Sequence, residues 1–125
     1  MIYTASYKVV KKLSKYCQLA ISSGLPEWFK GGRYKKLKPS YDYVLHQKAA
    51  QQGEFTNEDV EMFSATYYQE VLAHLDPVEV ARELEELSGG KPVVLLSHEA
   101  SDEFSIRHVL RAWFIQAGIE CEEII

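Results

Sequence analysis

Six residues whose types can do chemistry crowd into positions 97 to 108: Ser97, His98, Glu99, Ser105, Arg107 and His108. They follow the apolar run Val93-Val94-Leu95-Leu96, which has the length of a buried strand. A strongly periodic segment begins directly after them. Hydroxyls and a guanidinium are suited to holding phosphate or carboxylate oxygens. A carboxylate and an imidazole are suited to moving protons.

The free N–H groups of a helix starting near residues 102 to 105 would add an anion site beside Ser97, Ser105 and Arg107. Asp102 and Glu103 fall in that same first turn and oppose an anion. The competing reading is a capped helix with Arg107 paired to Glu99 or Glu103. A serine hydrolase is disfavoured. Neighbouring strand residues point to opposite faces, so Ser97 and His98 do not pair, and no Gly-x-Ser-x-Gly elbow is present. Glu99, at a strand end, is the candidate nucleophile or base for a glycosidic bond; an ion-paired Glu99 is its structural alternative.

A second constellation lies earlier. Trp28, Phe29 and Tyr34 alternate with Lys30, Arg33, Lys35 and Lys36. Aromatic faces stack on bases while cations hold phosphates, a mixture suited to a nucleotide or a single strand. The alternative has Trp28 and Phe29 anchoring the loop to the core. Thr4, Ser6 and Tyr7, at the end of the first strand, complete the candidate ligand set, with Tyr3 and Tyr7 as core or pocket wall. Residues 1 to 38 carry nine Lys or Arg against Glu27 alone, a net +8, while the remainder carries five basic and 17 acidic side chains. A basic first third favours anionic partners.

These residues need strands and helices to position them. Ile2 to Ser6 reads as a strand, Tyr7 to Lys15 as a short helix or turn, and Cys17 to Ser22 as a second strand. Trp28 to Pro39 reads as a loop. Ser40 caps a helix through Gln52. Thr56 and Asp59 form a capping box for a helix carrying Val60, Phe63, Tyr67, Val71 and His74. Asp76-Pro77 opens another, with Val80, Leu84 and Leu87 on one face. After the Val93 strand, a helix is expected from Asp102 to Ala117, with Ile106, Val109, Leu110, Trp113 and Ala117 inward. Ile119 to Ile124 is the last strand.

The expected architecture is one α/β domain with a small, mainly parallel four-stranded sheet, Rossmann- or flavodoxin-like, with a helical insertion between strands 2 and 3. Part of that insertion is expected to cap the sheet's ligand edge. The length of 125 residues supports a core without disulfides or metal. Cys17 and Cys121 lack metal-type spacing and read as buried thiols. His46, His74, His98 and His108 lack a convincing third ligand, so no metal is expected. With neither a dinucleotide fingerprint nor a P-loop motif, no cofactor is expected. No membrane span or signal-like start is seen, which implies a cytoplasmic protein.

The chain resembles the bacterial and phage family called domain of unknown function 488. The matching pieces are Ile2-Tyr3-Thr4-Ala5-Ser6-Tyr7, the run from Ile21 to Gly31, Arg33-Tyr34 with Leu37 and Pro39-Ser40, Leu75-Asp76-Pro77, and the Leu95 to His108 junction. In that family the position of Ser97 is usually Cys, Ser105-Ile106 usually reads Cys-His, and Ser23 stands where an Arg is usual. Glu99, Phe104, Arg107 and His108 match. The resemblance therefore implies a site without thiolate or Cys/His metal chemistry.

The resulting expectation is a binding protein for a small anionic, nucleotide-like ligand. A phage-encoded protein that sequesters a host immune nucleotide signal is one version. The alternatives are a nucleotide- or nucleoside-processing enzyme using Glu99, and a nucleic-acid-binding protein acting through residues 8 to 38. A homodimer is a further expectation, in which a second chain covers the helix bearing Trp113 and Phe114.

Overall fold

The computed structural model describes residues 1–53 and 55–125. Five strands form one sheet: β1 (Ile2–Ser6), β2 (Cys17–Ala20), β3 (Gly32–Arg33), β4 (Val93–Ser97) and β5 (Cys121–Ile124). Their order is β3-β2-β4-β1-β5, and all four pairings are parallel. The parallel α/β expectation holds, with one strand more than expected. The additional strand, β3, lies in the segment expected to be a loop, and a single 3-10 turn, Lys35–Leu37, follows it. Rossmann and flavodoxin sheets place the first strand beside the second. Here β4 stands between them.

The helices are α1 (Tyr41–Gln51), α2 (Asn57–Glu70), α3 (Pro77–Ser88) and α4 (Ile106–Gln116). Ser40 caps α1 by accepting from the Tyr43 N–H at 3.1 Å. The Thr56–Asp59 capping box forms at the start of α2, and Asp76 with Pro77 starts α3. In α3 the buried stripe runs Val80, Leu84, Ser88 at i+4 spacing, which leaves Leu87 57% exposed rather than inward.

Strand alternation sorts the core into two faces. Ile2, Leu19, Val93, Leu95 and Cys121 meet the helices. Ala5, Ala20, Val94 and Leu96 meet Tyr7 and Leu13, from a 3-10 helix at Tyr7–Lys12 and the turn after it. Trp113 and Phe114 are buried by the chain itself, so α4 needs no second copy to cover it.

The start of α4 differs from expectation. Asp102 and Glu103 look like an acidic first turn, but the helix begins at Ile106 with Ser105 as its cap. The Ser105 hydroxyl accepts from the Arg107 N–H at 3.2 Å. The helix ends at Gln116, so Ala117 is an exposed cap, and Phe114, eight residues after Ile106 on the same face, is buried instead.

Candidate functional site

Parallel pairing aligns the carboxyl ends of the strands: Ser6 is level with Ser97, and Ala20 with Leu96. A cleft of about 450 Å³ opens there between β2 and β4. Its walls are Ser22 to Gly24 after β2, Ser97 to Glu99 from β4, and Val44, Gln47 and Lys48 of α1. Part of the helical insertion thus walls this edge of the sheet. A larger hollow of about 720 Å³ lies at the opposite edge, lined by Ile2, Glu85, Lys91 and Glu120. Parallel α/β sheets bind ligands at carboxyl ends. Gln47 Nε2, buried without a partner among the described residues, also favours the smaller cleft.

Arg107 is not presented to this cleft. It is 0% exposed, and its Nε and one terminal nitrogen grip Glu123 at 3.1 and 2.8 Å. The other terminal nitrogen donates to Ser97 Oγ at 2.6 Å, and Ser97 Oγ lies 3.2 Å from Ser105 Oγ. Glu123 also accepts from the hydroxyls of Thr4 at 2.6 Å and Ser101 at 2.8 Å, so each carboxylate oxygen receives two hydrogen bonds. Burial alone would raise the Glu123 carboxyl. The bonds from Arg107, Thr4 and Ser101, with the Arg107 charge, outweigh burial and hold it below the usual carboxylate range. Arg107, Ser97, Ser105 and Thr4 therefore form one buried clamp joining α4, β4, β1 and β5. The expected partner, Glu99 or Glu103, is replaced by Glu123. The expected anion seat at this helix start is occupied by Ser105, while Glu103 accepts from the Ala100 N–H at 3.0 Å.

His98 and Tyr7 sit beside the cleft. His98 Nε2 donates to the Gly24 carbonyl at 2.8 Å. Tyr7 is buried, with its ring 4.8 Å from His98, and its hydroxyl meets Ser22 Oγ at 2.8 Å. Ser22 donates onward to the Gly24 carbonyl at 2.6 Å. Burial raises the Tyr7 phenol, reinforced by Glu99 and opposed by the Ser22 bond and Arg33. Ser6 caps the 3-10 helix, accepting from the Lys8 N–H at 3.1 Å.

Arg33 is exposed on the cleft's rim and donates to the carbonyls of Ser22 at 3.5 Å and Ser23 at 3.2 Å. Tyr34 is elsewhere: it is buried on the helical side, and its hydroxyl donates to Glu83 at 3.0 Å. Burial, then Glu83, raises its pKa. His108 is exposed on α4 and lines no part of the cleft. Phe29 anchors on Tyr7 at 5.3 Å, whereas Trp28 is 55% exposed. Lys30 lies with Trp28 in a separate groove.

Glu99 is half-buried in the cleft wall. Among the described residues no Lys, Arg or His pairs with it and no donor bonds its carboxylate. Two residues beside it carry no mark in the sequence as site residues. Gln47 lines the cleft, and its Nε2 is buried without a partner among the described residues; the same holds for the Tyr43 hydroxyl one helical turn earlier. Tyr43 is 2% exposed and packs on Phe63 and Tyr67. Burial raises its pKa, and the negative charges of Glu99 and Glu70 raise it further. A buried donor without a partner costs about 1–3 kcal/mol, so each of these two groups is expensive to bury. The i, i+4 spacing of Tyr43 and Gln47 was the available signal, although it reads as an ordinary helical face.

Comparison of the chain with protein-family models, with curated proteins and with solved structures finds no match.

Proposed function

We propose that the chain binds a small nucleotide-like molecule in the cleft between β2, β4 and α1. The observation carrying this reading is Gln47 Nε2, a buried donor without a partner among the described residues that lines the cleft with the unpaired carboxylate of Glu99, backed one helical turn earlier by the unpartnered Tyr43 hydroxyl. Two donors and one acceptor match a heterocyclic base or a sugar, which presents acceptors and N–H or O–H groups together. A phosphate on the same molecule would face Arg33 and Lys48 at the rim. Arg107 would act through Ser97, as a positioning residue. Sequestration of a host signal by a phage-encoded protein is a specific version of this reading.

Calorimetric titration with the four ribonucleosides and their 5′-monophosphates tests the proposal. At least one should bind, and Gln47→Leu should weaken it by roughly 5- to 150-fold, the worth of an orphaned buried donor. No binding by any of the eight, or binding indifferent to Gln47→Leu, would overturn it.

A second reading is favoured by one observation, the absence of a cation on Glu99 among the described residues. A carboxylate left unpaired in a cleft is available to attack or deprotonate at a glycosidic bond. Denaturing the loaded protein separates the two: intact ligand supports binding, and released base and sugar support catalysis.

A further inference from the structure

We propose that the layer covering the sheet face opposite the helices is a docking surface for single-stranded nucleic acid, with Trp28 as its stacking platform. The fold divides the charge. The helical layer over residues 41–53 and 55–88 carries ten carboxylates against Lys48 and Arg82. The other face is covered by the Tyr7–Lys12 helix, the turn after it, and the loop that follows β2. Those covering segments, residues 7–16 and 24–31, carry Lys8, Lys11, Lys12, Lys15 and Lys30 against Glu27 alone. All five lysines are exposed. Lys8 leans toward Glu103 at 3.9 Å. Lys11, Lys12, Lys15 and Lys30 have no carboxylate partner among the described residues.

The structure thereby splits the basic first third of the chain. Lys36 is paired with Glu83 at 2.7 Å on the helical side, and Arg33 belongs to the cleft. On this face Lys11, Lys12, Lys15 and Lys30 remain unpaired among the described residues, and Lys30 lines a groove of about 420 Å³. Val10, Ser14 and Tyr16 form one wall, and Trp28, Phe29 and Lys30 the other. Trp28 exposes 55% of its surface, against 9% for Trp113. It makes edge-to-face contacts with Tyr7 and Phe29, with ring centroids 6.2 and 6.5 Å away, which hold the indole in place. Gly31 holds the loop close to β2: a Cβ there would lie 2.8 Å from the Gln18 carbonyl and 2.5 Å from Phe29 Cζ. An exposed indole on a lysine-rich face meets the needs of an unpaired base and its flanking phosphates. A duplex keeps its bases stacked and offers no such face.

The protein contains only two tryptophans, so quenching of the exposed one reports on this groove. The probe is an oligothymidylate of about 12 nucleotides, within the usual span of such sites. It should quench Trp28 and bind with a log–log salt slope of about −3, from four lysines at roughly 0.7 each. Affinity should then fall by about 50-fold between about 50 and 200 mM salt. Trp28→Ala should weaken binding by roughly 5- to 150-fold, followed by anisotropy of a labelled strand. Lys11→Gln with Lys12→Gln should flatten the slope by about 1.4. Circular dichroism checks that these surface variants remain folded. The proposal is overturned if the strand leaves Trp28 unquenched at low salt, if Trp28→Ala binds as wild type, or if duplex competes equally. Binding to phosphatidylserine vesicles without binding to the strand also overturns it.

Discussion

Cutting the Arg107–Glu123 pair should cost a large fraction of the protein's stability. Arg107 is fully buried and the Glu123 side chain is 13% exposed, so neither charge can return to water without unfolding. Removing one member of such a pair typically costs about 3–5 kcal/mol. Domains of this size have about 5–15 kcal/mol in total. With a urea dependence of about 2 kcal/mol/M, Glu123→Gln or Arg107→Met should each lower the unfolding midpoint by roughly 2 M. The double change Arg107→Met with Glu123→Leu removes both charges and leaves chiefly the buried Thr4 hydroxyl without its acceptor, about 1–3 kcal/mol. It should therefore be more stable than either single variant. Acid should act through the same carboxylate. Its folded pKa is depressed, so its contribution is complete above the unfolded value near 4.5 and disappears as pH falls through the folded value. Glu123→Gln should flatten that acid limb. Single variants costing under about 1 kcal/mol, as exposed pairs do, would refute the reasoning, as would additive losses in the double variant.

Tyr43→Phe removes a buried hydroxyl without a described partner, so it should stabilise the empty protein by roughly 1 kcal/mol, a rise of a few degrees in Tm by calorimetry. The same change should weaken any nucleoside bound in the cleft; lower stability of the empty form would show that the hydroxyl is satisfied. Gly31→Ala should cost about 1–3 kcal/mol in urea titration and alter Trp28 emission, because the new methyl displaces Phe29 or the Gln18 backbone. Cys121, whose thiol burial pushes up to about 12, should resist a thiol reagent at neutral pH until the chain unfolds; fast labelling of native protein would contradict its burial.

Local chemistry was readable where local groups decide the outcome. Thr56 with Asp59, and Asp76 with Pro77, start helices through bonds to backbone within three residues, and the structure contains both. The start of α4 misled because two local patterns compete there. Asp102-Glu103 offers an acidic first turn, yet the Ser105 hydroxyl bonds the Arg107 N–H and begins the helix later. β3 escaped because two residues bracketed by Gly31 and Tyr34 carry no periodicity; they form a strand only because Leu19 and Ala20 lie alongside. Glu123 was invisible as Arg107's partner, since that contact depends on β5 pairing with β1, nearly the whole chain away. The cleft's location at a strand end was legible, and Glu99 and His98 do line it. Its α1 wall was not, because which face of a distant helix closes the cleft depends on packing.

The placement of β1 also governs when the sheet can form. Its neighbours are β4 and β5, which begin at Val93 and Cys121. During synthesis, the first strand must wait for about 90 more residues, roughly 5 to 20 s at ribosomal rates, before any partner emerges. Over that interval its Tyr3 and Ala5 face has no sheet to join. Nascent chains halted before Val93 should therefore lack the β1–β4 ladder, be sensitive to protease and be attractive to chaperones. Release of the final segment would convert the chain to its protected form in one late step.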